Sequence, residues 1–349
     1  MPNFLRIFLT LLLGAAFTGS AFCATNVASR SSPFRVDRKW ESEDGLPGNE
    51  VITIVQTHDG YLWLGTLHGL VRFDGLKFEV FDENNTPGLH SSRIVKLFED
   101  SQQNLWIGTE NAGIAIFKNG KITNPPELSS GGAWRKLEAA CEDASGAVWL
   151  YNANGEVWRY ANGLFSGLNF SEGRAGFTHT LAVEKDGPIW IGSYFKQCAI
   201  GPIPAGANIA ALPCAQEIPV TGLNYLLASP QGGYWRLAEG RVQKWKGNQL
   251  QRDVAPYPWP PNFRVSAAVE DRQGNLIVGT LGGGIYWLNN EGHTATLTSA
   301  EELSNDIILS LLLDREGALW VGTDGGGLSR VKRQAFATLP GTQGRVVQT

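Results

Sequence analysis

The amino-acid sequence predicts an all-β protein, a single seven-bladed β-propeller built from four-stranded antiparallel blades. Three observations predict this fold. A short phrase anchored on a large apolar residue recurs seven times along the 349-residue chain. The chain is rich in turn formers and in tryptophan, with 42 Gly, 17 Pro and 12 Trp. Each repeat also alternates short apolar runs with turn residues, which is typical of propeller blades.

Composition narrows the function classes before any motif is considered. Hydrophobic residues make up 43% and charged residues 18% of the chain, which is a globular and not a disordered composition. The formal net charge is −4, so the chain as a whole gives no electrostatic support for nucleic-acid binding. Length alone allows two or three domains or one large β unit, and the repeat favours the single unit.

Residues 1–23 have the pattern of a secretory signal peptide. Arg6 supplies a positive start, and residues 7–17 form an apolar run that is too short to cross a membrane. Small residues follow, and cleavage after either Ala21 or Cys23 fits the pattern. Lipidation of the cysteine, which its bulky preceding residue disfavours, and an uncleaved anchor are the alternatives. The sequence therefore predicts an exported chain, periplasmic or secreted.

Each repeat contains the residue pattern of one blade. An apolar strand comes first, followed by a turn, a strand with the anchor, a second turn and two more short strands. The first turn reads Asp-x-x-Gly from Asp143 to Gly146, from Asp271 to Gly274 and from Asp314 to Gly317. Asp followed three residues later by Gly favours a type I turn, as from Asp314 to Gly317, so we interpret the Asp as structural. The seven anchors, 41 to 45 residues apart, are Trp63, Trp106, Trp149, Trp190, Trp235, Ile277 and Trp320.

The edges and faces of such blades determine how the ring must assemble. One blade cannot bury both of its faces, so its neighbours must cover them. An anchor ring between two blades would bury about 150–250 Å², which predicts that the tryptophans fill the wedges. Ring closure protects the strand edges, and residues 34–40 and 335–339 are both candidates for the closing strand. The predicted propeller thus covers residues 34–339, and residues 340–349 form a polar tail or linker.

Cys198 and Cys214 are predicted to form a disulfide bond. They flank a predicted turn at residues 204–207, eight residues on either side of Gly206. A hairpin would bring the two cysteines face to face, and an exported chain meets oxidising conditions. The alternative is a pair of buried thiols in a reduced chain. Cys141 lies in an apolar stretch, and we interpret it as a small buried hydrophobe.

No catalytic or metal-binding motif occurs in the sequence. The five histidines are far apart, and there is no His-x-Glu, Cys-x-x-Cys or His-Glu-x-x-His pattern. A nucleophile elbow and a phosphate-binding loop are also missing. We therefore expect no metal, no cofactor and no kinase activity in these residues. Carboxylate pairs for glycoside hydrolysis stay open, because they form in space and not in sequence.

The loops that lead into each innermost strand carry side chains that the repeat does not require. In a propeller, these lead-in loops and the turns between second and third strands surround one end of the central channel. Aromatic faces stack on sugars and arginine pairs with carboxylate or sulfate, which favours a small-molecule, sugar or anionic oligosaccharide ligand. The alternative is that each of these loop side chains is simply solvated and binds no ligand. The candidate ligand-binding residues are Glu50, His68, His90, Arg93, Trp134, Arg135, Lys136, Tyr257, Trp259 and Arg264.

The repeat resembles the two-component regulator propeller repeat. Residues 45–75 carry the resemblance in the first unit and residues 314–328 in the last. The resemblance extends over about residues 34–339 and is most specific in units one, two and seven. The middle units depart from the pattern, with Tyr151 and Leu237 at positions where glycine is expected.

The resemblance implies an extracytoplasmic sensor module. Members of this family form the periplasmic input of membrane-bound histidine kinases, hybrid kinases or diguanylate cyclases, and many respond to polysaccharide fragments. For this chain it implies a non-enzymatic propeller that acts on a membrane-bound histidine kinase or on the remainder of a longer sensor chain. We expect either a fragment of such a sensor or a free-standing exported propeller. The alternatives are an exported enzyme, such as a polysaccharide-active hydrolase or a lyase similar to streptogramin lyases, and a protein-binding scaffold.

Overall fold

The computed structural model describes residues 34–128, 136–170, 179–185, 187–201, 203 and 214–333. These residues form seven four-stranded antiparallel sheets, which confirms the predicted all-β, seven-bladed propeller. In this part of the chain, no helix is long and apolar enough to cross a membrane. The predicted signal peptide at residues 1–23 and the predicted tail at residues 340–349 lie outside the described residues.

Blades 1 to 6 each consist of four strands that follow one another in the chain, from the innermost strand outward. Blades 1 to 3 contain β2 Thr53–Gln56, β3 Leu62–Thr66, β4 Gly69–Phe73, β5 Phe78–Phe81, β6 Ile94–Glu99, β7 Leu105–Thr109, β8 Ile114–Lys118, β9 Lys121–Thr123, β10 Leu137–Glu142, β11 Val148–Asn152, β12 Glu156–Ala161 and β13 Leu164–Asn169. Blades 4 to 6 contain β14 His179–Val183, β15 Ile189–Ser193, β16 Lys196–Ile200, β17 Gln216–Pro219, β18 Leu223–Ala228, β19 Tyr234–Ala238, β20 Arg241–Lys246, β21 Gln249–Pro256, β22 Val265–Glu270, β23 Leu276–Thr280, β24 Ile285–Leu288 and β25 Thr294–Leu297. Short 3-10 helices at Ser42–Asp44, Pro126–Leu128 and Ser299–Glu301 lie in connecting loops.

Blade 7 closes the ring with a strand from the other end of the chain. Its inner three strands are β26 Ile308–Leu313, β27 Leu319–Thr323 and β28 Leu328–Arg333, and its outer strand is β1, Phe34–Trp40. The antiparallel register runs from Phe34 opposite Arg333 to Trp40 opposite Leu328. Of the two candidate segments, the first therefore supplies the closing strand. Residues 335–339 lie outside the described residues.

The anchor residues fill the wedges between neighbouring blades, as predicted from the repeat. All seven belong to the buried core, and the most exposed of them, Trp320, is 5% exposed. Trp106 of blade 2, for example, packs in one cluster with Leu137 and Leu150 of blade 3. The same pattern of adjacent blades recurs around the ring, so the anchors join each blade to the next.

The Asp-x-x-Gly turns are structural, and they also hold the anchors. In blade 3, Asp143 Oδ1 accepts hydrogen bonds from the backbone N–H groups of Ser145 and Ala147, at 2.8 and 3.1 Å. Its Oδ2 accepts the indole N–H of Trp149 at 2.8 Å. The same indole-to-carboxylate bond, also 2.8 Å long, occurs from Trp106 to Asp100 and from Trp320 to Asp314.

Blade 6 departs from this arrangement because its anchor is Ile277. The tryptophan of the blade, Trp287, lies directly opposite Ile277 on β24 and is 4% exposed. It stacks on Phe34 of the closing strand, with ring centroids 3.9 Å apart. In four other blades this opposite position holds a cation that lies 4.5 to 5.9 Å from the centre of the anchor ring, namely Arg72, Arg159, Lys244 and Arg330.

A disulfide bond joins Cys198 to Cys214, with the two Cα atoms 5.7 Å apart. The register differs from the expected face-to-face hairpin, because the residue opposite Cys198 is Glu217. Cys214 therefore precedes the start of β17, and the predicted turn at residues 204–207 lies outside the described residues. Cys141 is a free, half-buried thiol. Burial raises its pKa well above the usual value, which agrees with a structural and unreactive cysteine.

Candidate functional site

The innermost strands of the seven blades surround a central channel with a cavity of about 620 Å³. Its wall is formed mainly by β2, β6, β10, β14, β18, β22 and β26. The lead-in loops border one end of this channel, where two of the predicted residues, Lys136 and Arg264, line it. Both side chains are exposed, so they are accessible to a ligand that enters from this end.

Lys96 places a positive charge in the channel wall. In the register of the sheets it is opposite a glycine of the second strand, Gly108, and the equivalent inner-strand residues are uncharged. They are Thr53, Ala139, Thr180, Tyr225, Ala267 and Ser310. The flanking residues Val95 and Leu97 are buried. Lys96 is thus a charge at a position that the fold fills elsewhere with neutral side chains.

The surroundings of Lys96 leave its ammonium group without a close counter-charge. Within the part of the chain that the structure describes, no carboxylate oxygen lies within 4.0 Å of Lys96 Nζ. Burial lowers the pKa of Lys96, and the charge of Lys136 lowers it further, while Glu138 acts in the opposite direction. A half-buried cation that lacks a partner is costly, and a bound anion would offset that cost.

Glu138 and His179 form a polar pair in the same wall. Glu138 lies at the irregularity in β10 between Leu137 and Ala139, and such bulges redirect side chains. His179 Nδ1 is 2.9 Å from Glu138 Oε2, which ties blade 4 to blade 3. The His179 residue is 5% exposed, its ring meets Tyr151 edge-on, and its Nε2 is buried without a hydrogen-bond partner. The imidazole therefore serves to hold the carboxylate in the channel wall.

Sequence reasoning missed Lys96, Glu138 and His179 as site residues. All three lie inside predicted strands, where the repeat phrase does not tell which side chains face the channel. The available signal was a charge on an innermost strand whose counterparts in other repeats are uncharged. Two exposed apolar side chains at the end of the channel that the lead-in loops border, called the ligand end below, were also missed: Phe195 at 57% and Leu281 at 37%.

Two further pairs contain residues predicted for the site. Glu50 Oε2 is buried without a hydrogen-bond partner and lies 3.9 Å from His68 Nδ1. Gly48 lies close beside them, and a Cβ there would displace the exposed His68 ring. Arg93 donates a hydrogen bond to Glu110, which lowers the pKa of the Glu110 carboxyl and raises that of Arg93. Arg93 is therefore engaged by a carboxylate of its own blade.

The aromatic loop of blade 6 differs from the expectation of an open stacking surface. Trp259 is 3% exposed, stacks on Tyr257 with ring centroids 4.7 Å apart, and also contacts Tyr286. The Tyr257 hydroxyl accepts a hydrogen bond from Asn224, and burial raises its pKa. These rings pack against the core because a proline-rich loop folds them inward, so Trp259 offers no free face to a sugar.

The remaining predicted residues are not joined to this site by described contacts. His90 is an exposed loop residue. Trp134 and Arg135 lie outside the described residues. Among the residues that the structure describes, no group of three or more His, Cys, Asp or Glu side chains is arranged to hold a metal ion.

Three segments of the chain match the family model of the two component regulator propeller. They are residues 45–68, 88–111 and 302–325. Each segment covers a lead-in loop and the first two strands of a blade, in blades 1, 2 and 7. The resemblance identified from the repeat phrase is thereby confirmed for these blades. No curated protein matches the chain.

Several solved structures share the propeller fold. Two are extracellular domains from B. thetaiotaomicron, assigned to a one component system and to a hybrid two component system. They are 21% and 19% identical to this chain, with TM-scores of 0.64 and 0.66 over 85% and 86% of it. This chain covers 39% and 41% of those two chains. A virginiamycin B lyase from Staphylococcus aureus is 14% identical, with a TM-score of 0.62 over 85% of this chain and 99% of its own.

Proposed function

We propose that this chain, which carries the two component regulator propeller repeat, is an extracytoplasmic sensor propeller that binds an anionic saccharide in its central channel. The repeat match and the similarity to extracellular domains of signalling proteins support the sensor class. The observation that carries the ligand class is Lys96, a channel cation without a described ion-pair partner. It functions together with the predicted residues Lys136 and Arg264 at the ligand end of the channel.

The charges of the channel favour an acidic ligand. Lys96, Lys136 and Arg264 line it together with a carboxylate, Glu138, which is bonded to His179. A uronate carboxylate or a sulfate would pair with these cations, and charge-assisted hydrogen bonds of this kind are about twice as strong as neutral ones. The exposed ring of Phe195 at the same end is suited to stack on a sugar face. The cavity of about 620 Å³ is within the usual range for small-ligand sites.

The ligand transmits its effect by bridging blades. Lys96, Lys136 and Arg264 belong to blade 2, the lead-in loop of blade 3 and the lead-in loop of blade 6. An anion that pairs with all three draws distant parts of the ring together and shifts the packing between blades. The chain is exported by its signal peptide, catalyses no reaction, and passes this change to a membrane-bound histidine kinase or to the remainder of a longer sensor chain.

Isothermal titration with matched oligosaccharides tests the proposal. The probes are an oligogalacturonide, a neutral galacto-oligosaccharide of the same length and a sulfated counterpart. We expect the acidic sugars to bind and the neutral sugar to bind at least tenfold more weakly. Lys96→Met should weaken acidic-sugar binding at least tenfold, while the exposed control Lys77→Ala leaves it unchanged. Equal affinity for neutral and acidic sugars, or no effect of Lys96→Met, would contradict the ligand assignment.

An exported lyase is the second candidate, favoured by one observation. The Glu138–His179 pair is a carboxylate-oriented imidazole next to the channel, and such pairs support general acid–base catalysis. The S. aureus virginiamycin B lyase is also similar to this chain over 99% of its own length. Mass spectrometry of the oligosaccharides and of a streptogramin B antibiotic after incubation with the protein separates the two functions. A product that disappears in His179→Gln would establish the enzyme and exclude a purely sensory role.

A further inference from the structure

The central channel has an apolar sector on the side of blades 6, 7 and 1, formed by Ile52, Leu281 and Leu309. Ile52 and Leu309 are half-buried residues of blades 1 and 7 that line the cavity. Leu281 belongs to the turn between the second and third strands of blade 6, and it is 37% exposed. Of the described residues of blades 7 and 1 that line the channel, none is charged. The apolar sector thus presents accessible hydrocarbon surface to a molecule in the channel.

The apolar sector uses positions that are polar elsewhere in the ring. Leu309 lies at the irregularity in β26, as Glu138 lies at the irregularity in β10. Ile52 holds this place in blade 1, because its N–H donates to Gly65 O at 2.8 Å and the next residue is opposite the same glycine. A bulge therefore directs a carboxylate to the channel in blade 3 and apolar side chains to it in blades 7 and 1. The channel wall is amphipathic as a result.

The fold does not require a leucine at position 281. The N–H of Leu281 donates to Arg264 O at 2.9 Å, and the equivalent bond in blade 7 runs from Asp324 to Ile307 O at 3.0 Å. In both turns, the preceding threonine hydroxyl donates to the carbonyl of the third glycine, at 3.0 Å in blade 6 and 3.1 Å in blade 7. In blade 2, Glu110 takes the same place. The turn therefore forms around an acidic residue as well, and folding does not explain the exposed leucine of blade 6.

Leu281 also lies next to a cation of the ligand end, because its backbone is bonded to that of Arg264. A ligand that uses both residues carries an anionic group and a hydrocarbon group close together. A methyl ester would neutralise a uronate carboxylate, whereas an acyl group on a sugar hydroxyl leaves it charged. Methyl and short acyl chains pack well against branched aliphatic side chains. We propose, building on the saccharide function proposed above, that the ligand is an O-acylated acidic saccharide and that the apolar sector, with Leu281 as its most accessible member, binds the acyl group.

Isothermal titration tests this inference with an oligogalacturonide and its 2-O-acetyl and 3-O-acetyl derivatives of the same length. The wild type should bind one of the derivatives about fivefold more tightly than the unacetylated parent, because the acetyl methyl group leaves water. Leu281→Ser should abolish this acetyl preference. The matched control is Leu76→Ser, which replaces a leucine that is 77% exposed on an outer hairpin of blade 1, and it should retain the preference.

The outcomes separate this inference from the proposed function. Equal affinity of the wild type for the parent and both derivatives, or an acetyl preference that persists in Leu281→Ser, would overturn the acyl site and leave the acidic-sugar site standing. No binding of the parent or of either derivative would contradict both. Circular dichroism establishes that the variants are folded. A second variant, Leu281→Asn, has the shape of the aspartate in the matching turn of blade 7 and should also lose the preference.

Discussion

Lys96 carries a charge in a channel wall whose equivalent positions in the other blades are uncharged. Replacing it with methionine keeps the length of the side chain and removes the cost of holding an unpaired ammonium at a half-buried position. We expect Lys96→Met to raise the free energy of unfolding by about 1 kcal/mol at pH 7, or roughly 2–4 °C in the melting temperature. Differential scanning calorimetry without ligand measures the change. An equally large loss of stability would show that Lys96 has a structural partner.

The pH dependence of this effect has a definite sign. The pKa of Lys96 is 10.5 in the unfolded chain, and burial lowers it in the folded protein. Between these two pKa values, the unfolded chain binds more protons than the folded protein. The stability of the wild type therefore rises with pH in that window. The advantage of Lys96→Met should be largest below the folded-state pKa and should shrink as the pH approaches 10.5. Melting curves from pH 7 upward test this, and a constant difference would contradict it.

The anchor indoles differ in their hydrogen bonds, which gives a matched pair of substitutions. Trp149 donates to Asp143, whereas the indole N–H of Trp63 has no hydrogen-bond partner among the described residues. Trp149→Phe should therefore cost about 1.5–3 kcal/mol more than Trp63→Phe, because it removes a bond to a charged acceptor as well as ring volume. Chemical denaturation of both variants measures the difference. Equal costs would mean that the indole bond adds no stability.

At acid pH, the difference between the stability costs of Trp149→Phe and Trp63→Phe should become smaller. Burial opposes ionisation of Asp143, but hydrogen bonds from Ser145, Trp149 and Ala147 outweigh burial and lower its pKa below 3.8. The stability that this carboxylate contributes is present above 3.8 and is lost as the pH falls through the folded-state pKa.

The residue scale is also where the sequence was least informative. Trp259 sits in a loop rich in proline and aromatic residues, a composition that indicates an exposed recognition loop, yet its ring is buried because Tyr257 and Tyr286 pack on it. Lys96 is the opposite case, because the sequence presents it as an ordinary strand residue, yet it lines the channel. In both cases the decisive fact is the direction of a side chain, which the repeat phrase does not encode.

At the scale of elements, the turns between the first and second strands tie neighbouring blades to one another. His58 Nδ1 lies 2.9 Å from Glu99 Oε1, and Ser101 donates to Glu142 in the next blade at 2.5 Å. Arg315 of blade 7 donates to the backbone carbonyl of His58 in blade 1 at 2.8 Å, across the closure of the ring. The blade 7 turn was predictable from the spacing of Asp314 and Gly317. Its contacts to the next blade were not, because they depend on the angle between blades.

The disulfide bond holds the outer part of blade 4. It closes a loop with a sequence separation of 16 residues, which corresponds to about 3 kcal/mol in the chain-entropy account. Reduction should therefore lower the melting temperature by several degrees, as measured by scanning fluorimetry with and without dithiothreitol. The double variant Cys198→Ala, Cys214→Ala should be insensitive to the reductant. A wild type that mass spectrometry shows to be oxidised but that melts unchanged on reduction would contradict this prediction.

At the scale of the whole molecule, the ring depends on β1. Trp40 at the end of this strand is 2% exposed and packs against Trp320 of blade 7 and Phe73 of blade 1. Trp40→Ala should cost about 3–5 kcal/mol, while Lys39→Ala, an exposed neighbour on the same strand, should cost little. Urea denaturation of both variants measures this. Similar free energies of unfolding for the two variants would show that ring closure does not depend on the packing of Trp40.

The number of blades followed from the period of the sequence alone, because seven anchors at 41 to 45 residues leave no other division of the chain. The choice of closing strand did not follow, since residues 34–40 and 335–339 have comparable strand patterns. The pairing of β1 with β28 settles it, and that contact joins residues almost 300 positions apart, such as Asp37 and Arg330 at a sequence separation of 293. Long-range pairing of this kind leaves no local signature.

The central prediction is that an acidic sugar binds in the central channel beside Lys96. A crystal structure of the protein with its tightest-binding acidic oligosaccharide measures this directly. We predict a carboxylate or sulfate oxygen about 2.7–2.9 Å from Lys96 Nζ, with the sugar extending toward Lys136 and Arg264. A sugar bound outside the channel, or inside it without contact to Lys96, would contradict the account.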